Sequence, residues 1–508
     1  MMAPTKAKHV AEFGDFQTPD DLARQVMQIV KMRGIDAATI IEPSCGRGAF
    51  LVAAREAYLN TPLFGLDVNA GYLGAARERL ASDENLVLAA ESFFRHDWSG
   101  HISRTNAPLL IVGNPPWVTN SELGSLGSDN LPSKSNFQNM KGFDAVTGKA
   151  NFDISEWMLL QNIEWLRQKG GSLAVLCKTA VARKILAAMW KRGQPIAEAA
   201  IYKIDAAYHF SAAVDACLFL LRVDGTHSSQ SCSIYESLSA QVPTSTFGYV
   251  DEILASDIGT YRRFSDLRGV NKAYTWRSGI KHDASKVMEL DRTADGFING
   301  LGELVSLEET YVFPLIKSSD IAGVRQRERE KVAIVTQRTI GEETAVVERV
   351  APHTWAYLNR HKAVLDGRTS VIYRNKPAFS IFGVGDYTFA PWKIAISGLY
   401  KRLTFRLFGS DAGKPMVFDD TVYFLPFESF SEAQSVLEML CDPAQKFLES
   451  MTFWDDKRPI TVELLKRLDI ARLARALNRD QELSLTRDYT SKRGKSADGQ
   501  GSLTFTLP

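Results

Sequence analysis

The sequence predicts an α/β protein: a doubly wound, mostly parallel sheet in the first half, followed by a second domain of mixed α+β character. Three observations carry that expectation. Short apolar runs of strand length alternate with helix-forming stretches through the first 225 residues. A glycine-bearing turn, Ser44-Cys45-Gly46-Arg47-Gly48, joins the first of these strands to a helix. Acidic or amide residues then stand at the carboxyl ends of successive strands, which is where ligands of such sheets bind.

The elements follow in order. Thr39-Ile40-Ile41-Glu42 reads as a strand, Pro43 to Gly48 as a turn, and Leu51 to Ala57 as a helix by propensity. Gly46 and Gly48 let the backbone turn tightly and approach a ligand closely. The stretch is not GxGxxG, and no Lys-Ser/Thr pair follows as in a P-loop. Leu63 to Leu66 forms a second strand ending on Asp67, 19 residues after Gly48, a spacing that suits a carboxylate accepting from a ribose diol. A third strand, Leu86 to Ala89, leads to Phe93-Phe94-Arg95-His96-Asp97-Trp98. There Asp97 is placed to accept from an adenine amine and Trp98 to flank the ring. The plainer alternatives are a helix cap for Asp67, a turn residue for Asp97 and a surface histidine for His96. Upstream, Thr18-Pro19-Asp20 reads as a helix start with a capping hydroxyl.

Leu109-Leu110-Ile111-Val112 is a strand too short to be a helix, and it runs into Gly113-Asn114-Pro115-Pro116-Trp117. Consecutive prolines cannot donate to a sheet, so the strand ends there and holds Asn114 at its carboxyl edge. An amide that donates and accepts, a rigid pair of carbonyls and an indole face meet at one point. That set suits holding an exocyclic amine while a planar base stacks on the indole. The alternative is a Pro-Pro turn followed by a core tryptophan.

In this order the residues resemble the class I S-adenosylmethionine-dependent methyltransferases, and in particular the gamma-order (Taq-type) adenine-N6 DNA methyltransferases. The resemblance covers residues 11–225 well and the remainder weakly. It implies a seven-stranded, mostly parallel methyltransferase sheet and S-adenosyl-L-methionine as cofactor. Thr18 and Pro19 would then pack beside the methionine end, with Glu42, Pro43, Ser44, Cys45, Gly46, Gly48 and Phe50 around the glycine turn. Asp67 would take the ribose, Asp97 and Trp98 the adenine, and Asn114 would lie close to the sulfonium. The resemblance makes Asn114, Pro115, Pro116 and Trp117 the catalytic quartet. It also points to Phe210, just before the late strand Ala216 to Leu221, as an aromatic that stacks on an extruded base; a core phenylalanine is the alternative. Asparagine as the first residue of the quartet favours adenine over cytosine. The implied partners are double-stranded DNA carrying a specific short target sequence and a cognate restriction endonuclease. Other bearers of such a quartet methylate a glutamine amide in a protein or a guanine amine in RNA, and a DNA-binding subunit without turnover is a third reading.

The bulk composition agrees with two or three soluble domains: 508 residues, 45% apolar, 23% charged, net charge +1. A near-neutral balance means that any basic surface is local. No apolar run of about 18 residues suggests a membrane span, and Met1 to Val10 lacks the apolar centre of a secretory signal. The five cysteines, Cys45, Cys177, Cys217, Cys232 and Cys441, are scattered, which fits a reducing cytosol and argues against structural zinc; a cytoplasm of bacterial or archaeal type is what the resemblance implies. The expected organisation is a catalytic domain over 1–235 with a mobile loop at 119–149, a target-recognition domain over 236–477, and a flexible polar tail from 478 to 508. Basic and aromatic residues interleave from Tyr261 to His282 and from Tyr373 to Arg402, as phosphate positioning and base contact require. Strands with solvated basic faces around an aromatic core would give the same pattern. Met416 to Phe424 reads as a core strand pair, and Glu432 to Leu440 and Thr461 to Leu477 as helices.

Overall fold

A computed structural model describes residues 17–118, 153–270, 273–323 and 330–483. The loop expected at 119–149 and the tail beyond 483 lie outside these residues. The chain divides into two units, Met1–Gly259 and Thr260–Pro508.

The first unit is built on one sheet. Its strands are β1 (Thr39–Glu42), β2 (Leu63–Asp67), β3 (Leu86–Ala90), β4 (Leu109–Gly113), β5 (Gly171–Lys178), β6 (Glu198–Ile204), β7 (Ala216–Val223), β8 (Ser231–Tyr235), β9 (Ser245–Val250) and β10 (Ile253–Ala255). Helices α1 (Asp20–Met32), α2 (Ala49–Ala57), α3 (Ala70–Arg79), α4 (Trp98–Arg104), α5 (Ile154–Lys169), α6 (Thr179–Lys191) and α7 (Ala206–Phe210) alternate with the strands. From one edge the order is β3-β2-β1-β4-β5-β7-β6-β8-β9-β10. The strands from β3 to β5 are parallel, and β7 runs antiparallel between β5 and β6.

The sheet therefore has ten strands where seven were expected. β8 pairs parallel with β6, and β9 and β10 continue antiparallel beyond it. Of these, β9 and β10 lie beyond the expected boundary at 235 and complete the first sheet, and the first unit extends to Gly259.

The order reverses between β1 and β4, which pair Ile40 with Leu110. Both strands are buried along their whole length, as their unbroken apolar runs require. A crevice at the carboxyl ends of such a pair is where open α/β sheets place their ligands. On α1, Leu22, Val26, Ile29 and Val30 recur at helical spacing and are buried together with Phe50, Leu51 and Ala54 of α2. Each such side chain contributes about 1.5–3 kcal/mol when buried.

The second unit holds two sheets. One has the order β11 (Arg277–Ser278), β20 (Val422–Phe427), β17 (Trp392–Ser397), β18 (Phe405–Phe408). The other has the order β14 (Leu304–Val305), β13 (Gly296–Asn299), β12 (Glu289–Thr293), β16 (Lys331–Ile334), β15 (Val312–Ile316), β19 (Val417–Phe418). The strand pair expected at Met416–Phe424 is split between them: β19 pairs parallel with β15, whereas β20 pairs with β17. Asp419 turns the chain between the two, its Oδ1 accepting from the Thr421 N–H at 3.1 Å and hydroxyl at 2.6 Å. The helix expected at Thr461–Leu477 is two helices, Val462–Leu465 and Ile470–Ala476, and Asp469 caps the second. Among the described residues no helix is long and apolar enough to cross a membrane, and no cluster of His, Cys, Asp and Glu is arranged to hold a metal ion.

Candidate active site at the carboxyl ends of β1, β2 and β4

The glycine turn closes over the end of β2. Gly46 has φ +50° and Gly48 φ +78°, left-handed values that favour glycine, and a Cβ on Gly48 would meet the Ala76 methyl at 2.9 Å. The Cys45 N–H donates to the Leu66 carbonyl at 2.9 Å, and the Gly46 N–H donates to Asp67 Oδ2 at 2.8 Å. Asp67 Oδ1 takes the Asn69 N–H at 2.8 Å, and Asn69 in turn caps α3. One carboxylate thus fixes the glycine turn and the start of the next helix while standing at the β2 terminus.

Two contacts that the sequence did not suggest brace the turn from outside. Gln17 Oε1 accepts from the Arg47 N–H at 3.3 Å, and Arg79 donates to the Arg47 carbonyl at 3.1 Å while pairing with Asp20 at 2.8 Å. Gln17 thereby sets the Thr18-Pro19 segment beside the turn. The cap of α1 is Pro19 and makes no side-chain bond, so Thr18 is not the capping hydroxyl that was expected.

Glu42 ends β1 and is buried. Its Oε2 has no hydrogen-bond partner among the described residues. Gly113 lies beside it, a Cβ there being 3.4 Å from Glu42 Cγ, an ordinary contact, so its φ of +144° rather than lack of space favours glycine. Burial pushes this carboxyl well above the ordinary value of 4.5; the Leu51 N–H opposes the shift, neighbouring Asp67 adds to it, and Arg79 opposes it. An acid raised in the folded state keeps its proton where the unfolded chain has lost it, so it lowers stability as pH climbs above 4.5. Glu42→Gln is therefore expected to melt above the wild type at pH 8, by about 2–4 °C for each kcal/mol relieved. The gain should shrink towards pH 4.5; a melting difference independent of pH would sink this account.

Asn114 follows β4 directly and is half-buried, with Pro115 and Trp117 buried behind it. Trp117 donates its indole N–H to the Leu176 carbonyl at 3.4 Å and meets Phe210 edge-on, ring centroids 5.1 Å apart at 72°. The structure thus brings together the two aromatics expected to act on a base, although both are buried rather than open-faced. Lys178, at the carboxyl end of β5, donates to the Trp117 carbonyl at 2.9 Å and pairs with Asp153 at 2.7 Å. The Ile154 N–H donates to the Val118 carbonyl at 2.9 Å. Lys178 escaped the sequence reading because a strand-end lysine carries no motif.

Other expected ligand residues stand elsewhere. Asp97 is exposed and caps α4 through the Gly100 N–H at 3.0 Å, seven residues beyond β3. Directly at the end of β3 are Glu91 and Ser92, and the Glu91 N–H donates to the Asp67 carbonyl at 3.1 Å. Trp98 is buried, donates to the Phe93 carbonyl at 2.8 Å and packs on Trp165 with centroids 4.3 Å apart, a core role. Phe50 is wholly buried within the core cluster. Cys45 is buried, and burial raises its thiol far above the ordinary value, which leaves it an apolar filler beside Pro43 and the half-buried Ser44.

In the second unit, the interleaved aromatics fall mostly inside. Tyr261 and Trp276 are fully buried, and Tyr274 donates its hydroxyl to Glu432 at 2.6 Å. Lys393 is buried and donates to the carbonyls of Ala390 and Met416 at 2.7 and 2.9 Å, while burial pulls its ammonium down to about 7. The pattern therefore marks an aromatic core, and among the described residues of these two stretches the exposed cations are Arg262, Arg263, Arg374, Lys376, Lys401 and Arg402.

The chain is 46% identical over 473 residues to the type II methyltransferase M.NspV of Nostoc sp., an alignment covering 92% of this chain and 98% of that protein. The chain belongs to the type II methyltransferase family. It is also 27% identical over 112 residues to the type II methyltransferase M.CvrRI of a Paramecium bursaria Chlorella virus, covering 22% of this chain and 26% of that one. Among solved structures it is similar to the type IIL restriction-modification enzyme MmeI in complex with DNA, at 11% identity and a TM-score of 0.46, covering 94% of this chain and 73% of that one. No family model matches the chain. The length of the M.NspV alignment means that both units of this methyltransferase have counterparts in that relative.

Proposed function

We propose that the chain is a site-specific DNA methyltransferase of a restriction-modification system, which moves a methyl group from S-adenosyl-L-methionine to the N6 amine of an adenine turned out of the duplex. The observation that carries the reading is Asn114-Pro115-Pro116-Trp117 at the carboxyl end of β4, next to β1 and its glycine turn.

The residues fit the cofactor. The buried, unpartnered Oε2 of Glu42 would ionise against a cationic methionine end, and the glycine turn offers close backbone approach. The carboxylate of Asp67 stands at the end of β2 against the glycine turn, the place from which it would accept a ribose diol. Glu91 and Ser92, rather than Asp97, are the polar residues at the β3 end that suit an adenine edge. When bound, the cofactor supplies an electrophilic methyl group on a sulfonium.

An adenine amine is a weak nucleophile because its lone pair is delocalised into the ring. The Asn114 side-chain carbonyl and the Pro115 backbone carbonyl would accept its two N–H bonds and draw the pair onto nitrogen. The prolines fix their own φ and so restrain the backbone that carries the Pro115 carbonyl, which limits its reorganisation. Turning the base out costs a few kcal/mol. A base stacked on an aromatic face would offset it by about 1–3 kcal/mol, for which Trp117 or Phe210, buried and edge-on to each other here, must turn a face to the base. The second unit, with its exposed arginines and lysines, is the natural reader of the target sequence.

Expressing the protein in a methylation-deficient bacterium and sequencing that DNA with modified-base detection tests this directly. The expected result is N6-methyladenine in one recurring short motif. Soluble, cofactor-binding protein that leaves every adenine unmodified would overturn the reading.

A further inference from the structure

Tyr208 is 81% exposed, the largest exposure among the large apolar side chains of the described residues. A single exposed aromatic needs no explanation by itself; its position does. It stands on α7, two residues before Phe210, whose ring meets Trp117 of the Asn-Pro-Pro-Trp quartet. The strand ends place α7 on the same rim as Asn114. Ile204 at the end of β6 pairs with Ala216, Ala216 pairs with Lys178 at the end of β5, and Val175 of β5 pairs with Gly113.

The tip is held rather than loose. Asp205 accepts the Tyr208 N–H at 2.9 Å, Ser211 closes the turn at φ +53°, and the His209 ring stands edge-on to the tyrosine at 4.9 Å. The charges around it are the wrong sign for a phosphate. Asp205 and Asp215 are exposed on either side, and the nearby cation of Lys203 is paired with Glu236 at 2.8 Å. A rigidly presented aromatic flanked by carboxylates favours the uncharged interior of the base stack over its backbone.

We infer that Tyr208 enters the duplex beside the extruded base and stacks in the space that base leaves. The inference rests on the DNA-methyltransferase reading above. It assigns Tyr208 a positioning role: it touches neighbouring bases, not the reacting atoms.

The test uses the full chain and a duplex carrying the motif recovered from cellular DNA, with 2-aminopurine at the target position. Wild-type protein should raise its fluorescence as the base leaves the stack. Tyr208→Ala should lose about tenfold of that extrusion equilibrium, the scale of one base–aromatic stack, with cofactor affinity and melting temperature unchanged. Tyr208→Phe and Tyr208→Trp should retain it. A mismatched target adenine, already cheap to extrude, should restore the methylation rate of Tyr208→Ala. Wild-type extrusion by Tyr208→Ala, or a rate that the mismatch does not restore, overturns the role of Tyr208. No motif and no fluorescence rise with the wild type would instead bring down the methyltransferase reading itself.

Discussion

Replacing Asn114 by alanine is expected to cut methyl transfer to DNA by about 10²–10³-fold while leaving cofactor affinity and melting temperature close to those of the wild type. The separation follows from position. Asn114 lies just beyond β4, whose register is already set by the pairing of Gly113 with Val175 and by the two prolines that follow. Alanine keeps that backbone and fills no new space. What it removes is the side-chain carbonyl that would draw the amine's lone pair onto nitrogen. Single-turnover methylation of motif-bearing DNA, with cofactor titration on the same preparation, reads both quantities. A variant that still turns over at the wild-type rate would take Asn114 out of the mechanism. One that also lost cofactor affinity would make it a binding residue instead.

Asp67→Ala should act in the opposite way, first on the cofactor and on stability. Its carboxylate accepts the N–H groups of Gly46 and Asn69. Deleting it orphans the part-buried Gly46 donor, at about 1–3 kcal/mol, whereas the exposed Asn69 N–H can turn to water. The glycine turn then loses its tie to the end of β2, and cofactor affinity should fall by at least about tenfold, or 1.4 kcal/mol. Asn69→Ala is the control. It removes only the cap of α3, worth about 1 kcal/mol, and leaves the Gly46 bond in place. Equal loss of affinity in both variants would show that helix stability, not the Asp67 carboxylate, governs binding.

Much of the first unit could be read before any coordinates. Unbroken apolar runs such as Leu109–Val112 have few ways to be satisfied other than as strands buried on both faces, and the paired prolines left no choice about where β4 stops. What failed was geometry that spacing does not encode. Asp97 looked like a strand-end acid, but the turn Ser92–His96 carries it away from β3, where its carboxylate caps a helix. Trp98 reads as flanking an adenine and Phe50 as part of the cofactor turn, yet an aromatic in either place is as readily core, and both are buried. The strands β8 to β10 are short and irregular, so their burial patterns alternate weakly and gave no signal that the sheet continued. In the second unit, interleaved bases and aromatics described an amphipathic core as well as a nucleic-acid surface, and the buried Tyr261, Tyr274 and Trp276 chose the former.

The bonds joining Val118 to Ile154, and Lys178 to both Trp117 and Asp153, bear on how this protein can change over generations. They hold Val118 and Asp153, the two ends of the stretch between them, against the end of β5. Halving or doubling a stretch closed in this way would alter its closure entropy by only about 0.6 kcal/mol. The strand end that holds Asn114 can thus keep its anchors while the number of residues between them changes.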